Sequence, residues 1–129
     1  MFVLDLLIEM IFLGIDYGRR RVGLALAING IISPLDWLIH NRQTEGKTLK
    51  EIKRICRQEN VEEIVVGMPR TCLANEVAAF ARRLEEMVKL KINFVDEDLT
   101  SELAEEIVGW RDKGKVDKTA AALILQRFL

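Results

Sequence analysis

Cysteine and histidine are scarce in this chain. Two cysteines, Cys56 and Cys72, stand without a second pair, and His40 is the only histidine. That excludes a disulfide framework and a Cys/His zinc site. We expect both thiols to be reduced and buried, in a cytoplasmic protein. An excess of one charge is lacking as well: 19 Lys and Arg face 20 Asp and Glu, for a net charge of −1. This balance neither favours nor excludes nucleic acid, because a neutral chain can still carry a basic patch. Repeats, low-complexity segments and linkers are absent, and 129 residues suit one domain with its own core. A membrane-spanning run is missing too. The most apolar stretch, MFVLDLLIEMIFLGI, carries Asp5 and Glu9 and lacks a basic start and a cleavage site. We therefore expect no membrane association. Residues 1–9 are expected to be an extension outside the fold, from an upstream start codon, with one domain over 10–129.

What is there is organised around Met10–Ala27, MIFLGIDYGRRRVGLALA. Ile11, Phe12, Leu13 and Ile15 form the apolar run of a strand buried on both faces. The run ends in a carboxylate, Asp16, followed by Gly18 and three arginines, Arg19 to Arg21. A charge at the end of a central strand is costly unless it is paired. Asp16 thus either bonds the turn amides or a neighbouring arginine, or it binds a metal.

Val22–Ile28 and Ile31–Ile39 read as two further strands, joined by the hairpin dipeptide Asn29-Gly30. Leu49, Ile52 and Cys56 mark a helix over 44–59, whose other side carries Lys47, Lys50, Arg54 and Arg57. That stripe is either a solvated face or a track for a phosphate backbone. Glu63–Gly67 is a short buried strand stopped by Met68-Pro69-Arg70. A helix over 75–90 and a strand over 92–95 follow, and the strand runs into Asp96-Glu97-Asp98. Thr100 or Ser101 can cap a helix reaching Val108. Residues 109–115 read as a loop and 117–129 as a last, apolar helix. The order β-β-β-α-β-α-β-α-α predicts an α/β fold: a mixed sheet with helices on both faces.

Ligands gather at the carboxyl ends of parallel strands. Asp16, the Asp96–Asp98 run and the Pro69 loop share one rim if their strands are parallel. Asp117, Ala121, Ile124 and Phe128 share one helical face, so Asp117 faces the core at the helix start, as an N-cap or as a member of the same cluster. Converging carboxylates repel one another, and divalent cations are the usual remedy. Two Mg²⁺ or Mn²⁺ ions at about 4 Å would suit phosphodiester hydrolysis.

Four stretches together resemble the YqgF/RuvX family of RNase H-like proteins. LGIDYGRRRVGLALA is similar to the opening D-x-G-x-[KR]-R-[IV]-G signature. IVVGMPR resembles V-V-G-[LM]-P, and VDEDLTSELAE resembles D-E-R-L-T-[TS]-x-x-A. VDKTAAALILQRFL resembles the closing D-x-x-A-A-x-x-I-L-Q-x-[FY]-L. The likeness covers residues 10–129. It implies an RNase H-like fold with a five-stranded sheet. It also implies a metal-dependent nuclease, acting in 5′-end maturation of pre-16S rRNA or, in the alternative, as a Holliday junction resolvase on four-way DNA. By the resemblance Asp16, Glu97 and Asp117 are the catalytic metal ligands. Arg20, Arg21 and Arg70 are the substrate contacts, with ion pairs to nearby acids as the other reading of Arg70. The expected partner is structured RNA or branched DNA, bound by a monomer or a homodimer. Two departures stand out: Asp98 occupies a position where the family usually has arginine, and TCLAN after Arg70 reads as a shortened loop. Two other readings compete. A D-x-G turn also cradles nucleotide phosphate in the actin, Hsp70 and sugar-kinase group, which needs a second lobe. A non-catalytic nucleic-acid-binding module would bind without cleaving.

Overall fold

A computed structural model describes residues 10–96 and 113–129, with side chains described for 10–96 and 118–129. The elements are β1 (Ile11–Tyr17), β2 (Arg21–Ile28), β3 (Ile31–Ile39), α1 (Glu45–Gln58), β4 (Glu63–Met68), α2 (Leu73–Val88), β5 (Lys91–Asp96) and α3 (Lys113–Phe128). The expected extension over 1–9, the helix near 100–108 and the residue Asp98 lie outside the described residues.

The five strands form one sheet in the order β3-β2-β1-β4-β5. β1, β2 and β3 meander antiparallel, while β4 and β5 run parallel to β1. The β2–β3 turn follows from its sequence. Asn29 and Gly30 both adopt positive φ, 53° and 78°, which a tight two-residue hairpin requires. Because β1, β4 and β5 are parallel, their carboxyl ends share one rim.

Side-chain alternation along β1 sorts the two faces. Leu13, Ile15 and Tyr17 enter the larger core, under α1 and α2, with Ile52, Phe80 and Leu84. Phe12 enters the smaller core on the other face, with Ala25, Val65, Ala121, Ile124 and Leu125. Here α3 lies tight against the sheet. A Cβ on Gly14 would stand 2.6 Å from Leu125 Cγ and 2.8 Å from the Ala121 carbonyl oxygen. Glycine at 14 is what allows this approach. One turn further along α3, Phe128 meets Phe12 edge-on at 5.4 Å between ring centroids.

Three sequence expectations are corrected. α3 begins at Lys113, so residues 113–115 are helical rather than loop, and Asp117 stands inside the helix rather than at its cap. Packing across the sheet outweighs the cost of a helical Gly114, about 1 kcal/mol. TCLAN is only half a loop, since Leu73 to Asn75 form the first turn of α2. Cys72 precedes that helix and is exposed; only Cys56 is buried, and burial pushes its thiol up to about 11.

Candidate active site

The rim is built by three strand ends and the turn between β1 and β2. Asp16, one residue before the end of β1, is 7% exposed. It alternates with Tyr17, so it shares the face of Phe12 and Gly14, beneath α3. Across the sheet Asp16 pairs with Gly23, and Gly23 pairs with Trp37. The row ends at Lys118 of α3, whose ammonium lies 5.5 Å from the Trp37 ring centroid. Trp37 was not among the residues predicted for the site. The hairpin register runs cleanly from Ile28–Ile31 to Ala25–Pro34, then shifts by one residue at Leu35. That bulge puts Trp37, not Asp36, in line with Asp16, and periodicity alone cannot reveal it.

Gly18 makes the turn possible: a Cβ there would sit 2.6 Å from the Arg21 carbonyl oxygen. Arg20 follows, exposed, and its carbonyl accepts a hydrogen bond from the His40 amide at 2.8 Å. Arg21 opens β2 opposite Ile39 and is half-buried. At the β5 end, Arg70 donates to Asp96 through Nε at 3.0 Å and Nη2 at 2.6 Å. The ion-pair reading of Arg70 is therefore observed. The pair is exposed, so it is worth at most about 1 kcal/mol.

Glu97 lies outside the described residues, next to Asp96, and the side chain of Asp117 is likewise outside them. Among the described residues no group of three Cys, His, Asp or Glu side chains is assembled that could hold a metal. Asp16 alone among the three predicted ligands is described to the side chain. Its chemistry fits a hard divalent cation: it offers carboxylate oxygen near the carboxyl end of a parallel strand.

On the opposite face of the sheet, against the same rim, lies a polar cavity of about 640 Å³, lined by Tyr17, Arg19, His40, Arg42, Glu76 and Arg83 among others. The Tyr17 hydroxyl donates to Glu76 at 3.1 Å, and Arg19 Nε donates to the same carboxylate at 3.2 Å. His40 is buried, with Nδ1 3.1 Å from the Thr48 hydroxyl. That hydroxyl also lies 3.2 Å from the Thr44 carbonyl oxygen, to which it can donate. Burial pushes the imidazole below its ordinary range, which keeps it neutral.

Burial, then the hydrogen bond and charge of Glu76, push Tyr17 up to about 12. Tyr17 is the only tyrosine, so tyrosinate absorbance reports it alone. We expect native protein to ionise near pH 12 and the Glu76→Gln variant to ionise below that, with burial still holding it above 10. The folded phenol holds its proton more tightly than the unfolded one. Its contribution to stability is complete below pH 10 and lost between 10 and 12. An unshifted titration in the variant would refute the Glu76 contribution.

A family model described as "RuvX: Holliday junction resolvase" matches residues 10–129. The chain belongs to the RuvX family. Relatives named "Putative pre-16S rRNA nuclease" agree. One from Synechococcus elongatus is 35% identical, over 91% of this chain and 87% of its own. One from Syntrophomonas wolfei is 33% identical, over 93% and 94%. Among solved structures, T. thermophilus RuvC in complex with a Holliday junction substrate superposes with a TM-score of 0.61 at 14% identity, over 92% of this chain and 96% of that one. YeaZ from Pseudomonas aeruginosa follows at 0.52 and 13%, over 77% of this chain and 49% of that one. The RuvX-family chain thus has the RNase H-like fold that its motifs implied.

Proposed function

We propose that this RuvX-family chain is a divalent-metal-dependent nuclease that hydrolyses phosphodiester bonds in 5′-end maturation of pre-16S rRNA, in the cytoplasm. The observation that carries the reading is the seating of α3 on β1. Contacts climb from Phe12 and Phe128 to Gly14 with Leu125 and Ala121. Asp16 follows Gly14 by two residues on the strand and Asp117 precedes Ala121 by one turn on the helix, which supports their meeting at the rim. Glu97 directly follows Asp96, the last residue of β5, which ends at the same rim. The likeness to relatives named for pre-16S rRNA, over most of both chains, supports the substrate.

In this reading Asp16, Glu97 and Asp117 would hold two Mg²⁺ or Mn²⁺ ions, which would supply a water nucleophile and charge stabilisation for phosphodiester hydrolysis. The chain itself supplies orientation. The strand and helix fix the carboxylates, and Arg20 and Arg21 hold the backbone flanking the scissile phosphate. Arg70 exchanges its exposed Asp96 partner for a substrate phosphate.

The family description and the RuvC likeness favour a second reading, resolution of four-way DNA junctions. That reaction needs two sites facing one junction, hence a homodimer; the RNA reaction is served by a monomer. The test is a cleavage panel with Mg²⁺, Mn²⁺ or EDTA: single-stranded RNA, a pre-16S leader fragment, duplex DNA and a four-way junction. Metal-dependent cutting of the leader RNA is expected. Cutting of the junction alone would replace this reading with the second, and binding without any cutting would reduce the chain to a binding module.

A further inference from the structure

α1 concentrates positive charge that the carboxylate rim does not use. Its fourteen residues hold Lys47, Lys50, Lys53, Arg54 and Arg57 against Glu45 and Glu51, five cations to two anions, in a chain of net −1. Lys50, Lys53, Arg54 and Arg57 alone line a hollow of about 270 Å³. Glu51 neutralises one of them, through Arg54 Nε at 3.0 Å. Among the described residues, Lys50, Lys53 and Arg57 make no ion pair. A second hollow, about 610 Å³, continues from Lys53 and Arg57 to Lys89, just past α2.

Like charges three and four residues apart on a helix repel and cost stability. The helix dipole rewards cations only in the last turn, which accounts for Arg57 but not for Lys50. An anion filling the hollow from outside relieves the repulsion. The track also has a direction. α1 starts beside the rim, where the His40 amide bonds Arg20, and ends near the start of β1, where the Glu62 amide bonds the Ile11 carbonyl. From Lys47 to Arg57 it covers about 15 Å. It lies on the face of the sheet opposite α3 and Asp16.

We propose that this face of α1 is a second docking surface, for the phosphate backbone of a double-stranded arm of the nucleic acid whose cleavage is proposed above. It is read without sequence and lies apart from the carboxylate rim. The choice of ligand rests on the nuclease reading; the surface itself rests on the hollow and its unpaired cations. An acidic protein is the competing occupant.

The test is binding of a fluorescein-labelled RNA stem-loop to the full chain in EDTA, by anisotropy across a salt series. The variant Lys50→Gln/Lys53→Gln/Arg57→Gln keeps good helix formers. We expect the slope of log K against log[salt] to flatten by about two to three, and affinity at low salt to fall by roughly tenfold or more. If the triple variant fails to fold, Lys50→Gln alone should flatten the slope by about one. An unchanged slope overturns the proposal. So does a wild-type chain that ignores the RNA stem, which would leave the acidic-protein occupant. Wild-type protein that binds through these cations but never cleaves sinks the nuclease reading and leaves this one standing. Cleavage with an unchanged slope does the reverse.

Discussion

Asp16→Asn should lower metal-dependent cleavage by roughly a thousandfold or more while the fold stands. Asparagine matches aspartate in volume, and the site is 7% exposed, so nothing must move to admit it. What changes is charge. The carboxylate that the nuclease reading makes a metal ligand becomes a neutral amide, at a rim that also holds Asp96. Relief of repulsion between like charges there offsets bonding that the amide cannot reproduce. We therefore expect a melting temperature within a few degrees of wild type. A second measurement separates a lost ligand from a lost activity. Mn²⁺ should raise the wild-type melting temperature, since a ligand of the folded state stabilises it by mass action. That rise should shrink or vanish in the variant. Cleavage at the wild-type rate would sink the assignment of Asp16 as a metal ligand. A collapsed melting temperature would instead give Asp16 a structural role, bonding the turn that carries Arg19 to Arg21.

The sheet was legible because its signals are local. Ile11 to Ile15 and Ile64 to Val66 are apolar runs that suit a strand buried on both faces, and all but Ile11 are buried. Asn29-Gly30 specifies its own turn. The rim was legible one step removed, because parallel β1, β4 and β5 bring their carboxyl ends together once β1 is central. What escaped depends on contacts between elements. The bulge at Leu35 decides that Trp37 lines up with Asp16, and no pattern in β3 announces it. Glycine and charge around residues 113–115 read as a loop, yet the reach of α3 over β1, β2 and β3 makes them helical. Cys72 resembles any apolar residue in a sequence, and only its place before α2 leaves it exposed. The Tyr17–Glu76 bond joins residues 59 apart, and pairing across such a gap is invisible before the fold is known.

Gly14→Ala tests whether α3 must sit as close as it does. The new methyl would meet two atoms. Leu125 Cγ, at 2.6 Å, belongs to a side chain that can shift; the Ala121 carbonyl oxygen, at 2.8 Å, belongs to the helix backbone and cannot move alone. Relief therefore requires α3 to lift or slide. Overpacking of this kind costs about 1–3 kcal/mol, which for a domain of this size lowers the melting temperature by roughly 5–10 °C. Because α3 also carries Asp117, cleavage should fall more steeply than stability at temperatures where the variant is still folded. The double variant Gly14→Ala/Leu125→Ala discriminates between the two contacts. Leu125→Ala alone opens a cavity in the smaller core and should cost about 2–5 kcal/mol. If the leucine is the obstacle, the two substitutions compensate, and the pair is less destabilised than their sum by about 1 kcal/mol or more. If the carbonyl is the obstacle, the costs add, stability is not recovered, and cleavage stays low. Either result measures how far the fold can let α3 retreat from β1. Full stability and full cleavage in Gly14→Ala alone would show that neither the fold nor the reaction needs α3 this close to β1.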